Sequence, residues 1–142
     1  MAIIIPAEIR TLLEAPNYVH LATLRADGSP RNWVVWVGLE DDNVLVCTDE
    51  STWKAKDMRR DSRVGMSVVD LADPYRMAAI QGRVIEIRRD DDCRYMDPIS
   101  IKYTSKPFPY RGRLLRLEEA FPPKQAIKRF FAEIVDHSIN DR

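Results

Sequence analysis

Apolar residues first recur at Ile9, Leu12 and Leu13, one face of a 3.6-residue period. Pro6 opens the segment, Glu8 sits in its first turn and Pro16 closes it, which predicts a short N-terminal helix. Residues 18–26 and 31–40 are rich in Val, Leu, Trp and Thr. The Asp27-Gly28-Ser29-Pro30 stretch between them has turn chemistry, so the two segments predict a β-hairpin. After the Glu40-Asp41-Asp42-Asn43 turn, residues 44–48 predict a short strand. Ser51 or Thr52 is placed to cap a helix running to about residue 61. Residues 63–71 predict a strand, Ala72-Asp73-Pro74 a turn, and residues 77–89 a long strand that Gly82 bends or bulges. Asp90-Asp91-Asp92 opens a helical stretch through residue 103, kinked at Pro98, and residues 112–118 supply a sixth strand. Pro122-Pro123 begins a final helix with Ile127, Phe130, Phe131, Ile134 and Val135 as its apolar stripe. The expected architecture is mainly β with flanking helices, an α+β protein built on a small antiparallel barrel. Residues 1–142 form one domain, with 119–142 as a C-terminal helical extension.

Composition narrows the function. The 142 residues are enough for one core, and 45% hydrophobic with 31% charged residues is the balance of an ordinary globular domain. Lys plus Arg equals Asp plus Glu at 22 each, so the chain has no long-range attraction for polyanions. Nucleic acid and anionic membranes are therefore not expected as partners, and any anion site must be local. Cys47 and Cys93 stand in no metal or redox spacing and fit free thiols in a reducing compartment, read here as the cytoplasm. No signal peptide or membrane-spanning stretch is visible. With His20 and His137 as the only histidines, metal centres and Ser/His or Cys/His nucleophile systems are disfavoured.

The most informative segment is Ser51-Thr52-Trp53-Lys54-Ala55-Lys56-Asp57-Met58-Arg59-Arg60-Asp61. Hydroxyls at a helix start, followed at once by four cations, suit a phosphate. Main-chain N–H groups point at the anion, Ser51 or Thr52 donates a hydroxyl, and Lys54 reaches back from one turn along. The competing reading makes Lys54, Lys56, Arg59 and Arg60 a solvated helix face with Asp57 and Asp61 as intrahelical partners. Taken alone, the segment favours that second reading; the strands on either side of it shift the balance.

In context the chain resembles the pyridoxamine 5′-phosphate oxidase-like split β-barrel family, and in particular its members that use the deazaflavin coenzyme F420. The matching segments, in order, are His20-Leu21-Ala22-Thr23-Leu24, Asp27-Gly28-Ser29-Pro30, Val35-Trp36-Val37, Thr48 with Lys54, Arg59-Arg60-Asp61 before a strand, Gly82-Arg83-Val84, Lys102-Tyr103-Thr104 and Pro107-Phe108-Pro109. They span roughly residues 5–118. The resemblance implies a six-stranded antiparallel split β-barrel and a homodimer with cofactor sites between subunits. It places the phosphate at Thr48, Ser51, Thr52 and Lys54, with Lys56, Arg59 and Arg60 close by. Thr52 and Trp53 stand where relatives often carry Arg, Asp57 where Asn is usual, and Ser62 and Ser105 replace a common Pro and Gly. A carboxylate beside a phosphate opposes binding, so Asp57→Asn is expected to tighten it; the competing reading is that Asp57 pairs with Arg60 or Lys54 and holds the cation in place, so that the same change loosens the site. The hairpin strand is the second implied cofactor wall. Alternation puts Arg31, Trp33 and Val35 on one face, with Arg31 and Trp33 candidate cofactor contacts, while Trp36 is expected to pack in the core.

No acid, base and nucleophile set stands out, which suits hydride transfer, where the cofactor carries the chemistry. The surplus of cations over one phosphate favours coenzyme F420, with flavin mononucleotide (FMN) as the alternative, acting on an unsaturated small molecule. A non-catalytic carrier of flavin, deazaflavin or haem is the rival reading. An oligonucleotide-binding barrel is disfavoured by the balanced charge and by the lack of aromatics interleaved with the cations.

Overall fold

The computed structural model describes residues 4–108 and 138–139. The first helix, α1 (Ala7–Glu14), starts behind Pro6 and buries Ile9, Leu12 and Leu13, the three positions its periodicity selects. Strand β1 (Val19–Leu24) turns through Asp27, whose carboxylate accepts from the Ser29 N–H and hydroxyl at 2.9 and 2.6 Å. Gly28 supplies the φ of +85° at the corner. Strand β2 (Pro30–Val35) returns antiparallel, pairing Leu21 with Trp33 and Thr23 with Arg31.

The single strand expected over residues 31–40 is two strands. β2 stops at Val35, and β3 (Gly38–Glu40) forms a separate hairpin with β4 (Asn43–Leu45). The break has a physical cause. The Val37 N–H donates to the Tyr103 hydroxyl at 3.2 Å, and the Val37 carbonyl accepts from Lys102 Nζ at 2.5 Å. Side chains therefore take the main-chain groups that a sheet ladder would have used.

Next come α2 (Trp53–Arg60), β5 (Arg63–Val69) and β6 (Met77–Arg83). The strand expected over 77–89 ends at Arg83, and Gly82 pairs in register with Val64. Beyond it, Arg88 is held by Glu86 at 2.7 Å, Glu40 at 2.9 Å and the Tyr95 hydroxyl at 2.6 Å, so the segment follows these contacts instead of a partner strand. Helix α3 (Met96–Thr104) begins later than the acidic run. The buried Asp90 carboxylate accepts from the Tyr95 and Met96 N–H groups at 3.0 and 2.9 Å and so sets that start. Pro98 lies in the first turn of α3, where its missing N–H breaks no helical bond.

A short strand, β7 (Ser138–Ile139), pairs with Ala78 and Ala79 of β6, so at these two positions the expected helical extension 119–142 is β structure. The sheet order is β2-β1-β5-β6-β7, with β3-β4 as a separate pair. The described residues thus form antiparallel sheets with three helices, and they do not close a six-stranded barrel. The expected sixth strand at 112–118 and the apolar stripe from Ile127 to Val135 lie outside the described residues. Val19, Leu21, Val64, Met66, Val68, Ala78 and Ile80 face α1 and α2 across the main core. Leu45 and Ile99 make a second cluster with Trp36, Tyr95 and Tyr103.

Candidate functional site

Thr52 is the N-cap of α2, accepting from the Ala55 N–H at 3.3 Å and donating to the Asp49 carbonyl at 2.8 Å. Its hydroxyl is committed to the cap. The buried Thr48 hydroxyl lies 3.1 Å from it, and the Asp49 carboxylate accepts from the Ser51 N–H at 2.7 Å. Thr48 and Lys54 border a cleft of about 240 Å³ with Val34, Trp36, Cys47 and Met96.

Lys54 leaves the helix on its inner side and rests over the Trp33 ring, Nζ 5.1 Å from the centroid. Burial lowers the pKa of its ammonium, and the Asp49 charge opposes that shift. Among the described residues its Nζ makes no hydrogen bond or ion pair. Arg31 stands two residues from Trp33 on the same strand face, and alternation places both half-buried between the exposed Pro30, Asn32 and Val34. The Arg31 guanidinium stacks 4.8 Å from the centroid of Trp53, and Lys56 approaches that ring at 4.7 Å.

Asp57, expected to repel a bound phosphate, is instead a fully buried carboxylate with 0% exposure. Its Oδ2 accepts from the Thr23 hydroxyl at 2.8 Å and lies 3.0 Å from Arg31 Nε, while Oδ1 accepts from Arg60 Nη2 at 2.9 Å. Thr23 in turn accepts from the Trp33 indole N–H at 3.1 Å. Burial alone would raise the carboxyl pKa. The hydrogen bonds from Thr23 and Arg60, with the charges of Arg31 and Arg60, outweigh it and hold the pKa below the ordinary value. The negative charge is cancelled at short range by two guanidinium groups, so its description as a repulsive intruder is corrected. Arg31 Nε is a buried nitrogen whose N–H is not aligned for a hydrogen bond, although Asp57 lies within ion-pair distance.

The expected site residues therefore separate. Thr48 and Lys54 border the cleft, Lys54 lies over Trp33, and Arg31 and Lys56 both approach Trp53. Arg60 is turned to Asp57 and to the Leu24 carbonyl at 2.6 Å, and Arg59 to Glu50 at 3.4 Å, the intrahelical and local pairing of a surface helix. Ser51 is exposed at the turn. Sequence reasoning missed Thr23 and the exposed Trp53; the available signal for Thr23 was a hydroxyl on an inward-facing strand position.

Antiparallel sheets with a cleft bordered by Trp36, Thr48 and Lys54 beside the start of α2 define the chain as a small antiparallel β protein with flanking helices. More particularly, the chain belongs to the pyridoxamine 5′-phosphate oxidase family, whose profile matches residues 5–138. Among solved structures, one described as an F420 reductase superposes with a TM-score of 0.76 at 24% identity, covering 97% of this chain and 100% of its own. One described as a putative pyridoxamine 5′-phosphate oxidase from Lactobacillus delbrueckii gives 0.58 at 15% identity, covering 94% and 93%. One described as a heme binding protein from Mycobacterium smegmatis gives 0.60 at 16% identity, covering 93% of this chain and 57% of its own. At these identities the likeness is one of fold. No curated protein matches the sequence significantly.

Proposed function

We propose that this protein is an oxidoreductase that binds the deazaflavin coenzyme F420 along the edge formed by Arg31, Trp33, Thr48 and Lys54. The observation that carries the reading is Lys54, a half-buried ammonium with no hydrogen bond among the described residues, beside the Thr48 hydroxyl and over Trp33. The donor chemistry fits a phosphate group: an ammonium beside a hydroxyl, with the terminal nitrogens of Arg31 making no hydrogen bond among the described residues.

When bound, the deazaflavin supplies hydride transfer to an unsaturated small molecule. The chain's own contribution is to bind and orient. Lys54 and Thr48 hold the phosphodiester and the Trp33 ring gives a flat wall, whereas the N–H groups of Ser51 and Thr52, expected to face the phosphate, are taken by Asp49. Arg31 and Lys56, both against Trp53, remain for the carboxylates of the coenzyme's tail. Arg59 and Arg60 contribute positive potential at longer range. Lys54 and Lys56, which make no ion pair among the described residues, together with Arg31, paired with Asp57, exceed what the single phosphate of FMN needs, and this supports the deazaflavin over FMN.

Val34, which lines the cleft, and Trp53, next to Lys54 in α2, are 63% and 56% exposed. A second copy of the chain supplies the missing wall in the proposed homodimer, and a reducing cytoplasm suits Cys47 and Cys93, which are not joined in a disulfide. Titration with oxidised F420 and with FMN, followed through tryptophan quenching, tests the reading. F420 should bind more tightly, and Lys54→Ala should weaken it by about 1.5–3 kcal/mol, the value of a charged hydrogen bond. Equal or tighter FMN binding would reassign the cofactor, and a Soret band in the purified protein would point to the haem-carrier alternative.

A further inference from the structure

Two cations of the proposed anion edge lead back to one buried oxygen. Asp57 Oδ2 is shared by the Thr23 hydroxyl at 2.8 Å and Arg31 Nε at 3.0 Å, and Thr23 also holds the Trp33 indole on which Lys54 rests. Asp57 Oδ1 is taken by Arg60, which also donates to the Leu24 carbonyl and so pins the carboxylate between α2 and the end of β1. The Nε side of Arg31 is thereby turned inward. Its side chain keeps 21% exposure, and among the described residues its terminal nitrogens make no hydrogen bond.

From this arrangement we infer that Asp57 is a positioning residue for anion binding: through Arg31 directly, and through Thr23 and Trp33 to Lys54, it fixes where the two open cations stand. The inference rests on the proposed placement of an anion at Arg31 and Lys54 and does not depend on which cofactor supplies it. Its consequence runs against simple charge counting. Removing a negative charge next to an anion site should tighten binding by Coulomb's law. Here removal frees Arg31 to rotate and unseats Thr23, so binding weakens although the site has become more positive.

The test uses inorganic pyrophosphate as probe, titrated against the full chain by calorimetry well below the thermal midpoint of each variant, so that only folded protein is compared. Asp57→Asn should weaken pyrophosphate binding by about fivefold or more. In an Arg31→Ala background the same change should have a smaller effect, about two- to threefold, because only the route through Thr23 and Trp33 to Lys54 is left to lose. A merely structural role would lower stability equally in both backgrounds and leave the affinities alone. Thr23→Val, which preserves shape and every charge, should weaken pyrophosphate about two- to threefold and keeps the idea testable if Asp57→Asn fails to fold. Unchanged or tighter binding by Asp57→Asn, an undiminished effect in the Arg31→Ala background, unchanged affinity in Thr23→Val, or no pyrophosphate binding by the wild type would each overturn the inference. If pyrophosphate follows the expected pattern while neither F420 nor FMN binds, the positioning role stands and the cofactor assignment fails.

Discussion

The carboxylate of Asp57 is pulled two ways: burial favours its proton, whereas Thr23, Arg60 and the two guanidinium charges favour the anion and win. A folded-state pKa below the unfolded one means that the unfolded chain binds more protons in the acid range. The stabilisation is complete above the ordinary carboxyl value of 3.8 and is lost as pH falls through the lower folded value. Urea midpoints of the wild type should therefore fall more steeply below about pH 4 than those of Asp57→Asn. Asp27 and Asp61 titrate low in both proteins, so the difference between the two curves isolates Asp57. At neutral pH the Asn variant should be less stable by about 2 kcal/mol, below the usual cost of breaking a buried pair because Arg60 is 40% exposed.

At the scale of elements, α3 is joined to the rest of the chain by adjacent polar side chains. Lys102 Nζ donates to the Leu13 carbonyl at the end of α1 at 2.7 Å and to Val37, while the Tyr103 hydroxyl donates to the Asn17 carbonyl at 2.6 Å. Burial lowers the Lys102 pKa to about 8 from its ordinary 10.5, against the pull of Glu14. Between those values the folded protein binds fewer protons than the unfolded chain, so this group makes stability rise as pH rises through that window. Lys102→Met should flatten the rise in thermal midpoint between pH 8 and 10. The junction of β3 with α3 is equally close. A Cβ on Gly38 would stand 2.8 Å from Cγ1 of the buried Ile99, so Gly38→Ala should cost about 1–2 kcal/mol in chemical unfolding while Gly38→Ser costs at least as much.

For the whole molecule the proposed homodimer makes a prediction about assembly. If the open side of the cleft is completed by a second copy, light scattering at micromolar concentration should return twice the 16.4 kDa chain mass. A particle of single-chain mass at high concentration would remove the shared wall and leave the cleft open to solvent. Among the described residues no helix is long and apolar enough to cross a membrane.

Local features were legible from residue types alone. The apolar spacing of Ile9, Leu12 and Leu13, the Asp-Gly-Ser turn, the Thr52 cap and the alternation of Arg31 and Trp33 all reflect interactions within a few residues, which a linear pattern records. What the tertiary structure decided involves partners far apart in the chain. Val37 leaves the sheet because Tyr103 and Lys102, over sixty positions away, take its main-chain groups. Arg88 ends a strand by reaching Glu40. Asp57 changes from a presumed repulsive charge to a buried anchor because Thr23 and Arg31 lie on strands that its own helix packs against. Whether a charged side chain is solvated, paired or open to a ligand depends on which opposite groups the fold brings within about 3 Å, and sequence separation carries almost no information about that distance.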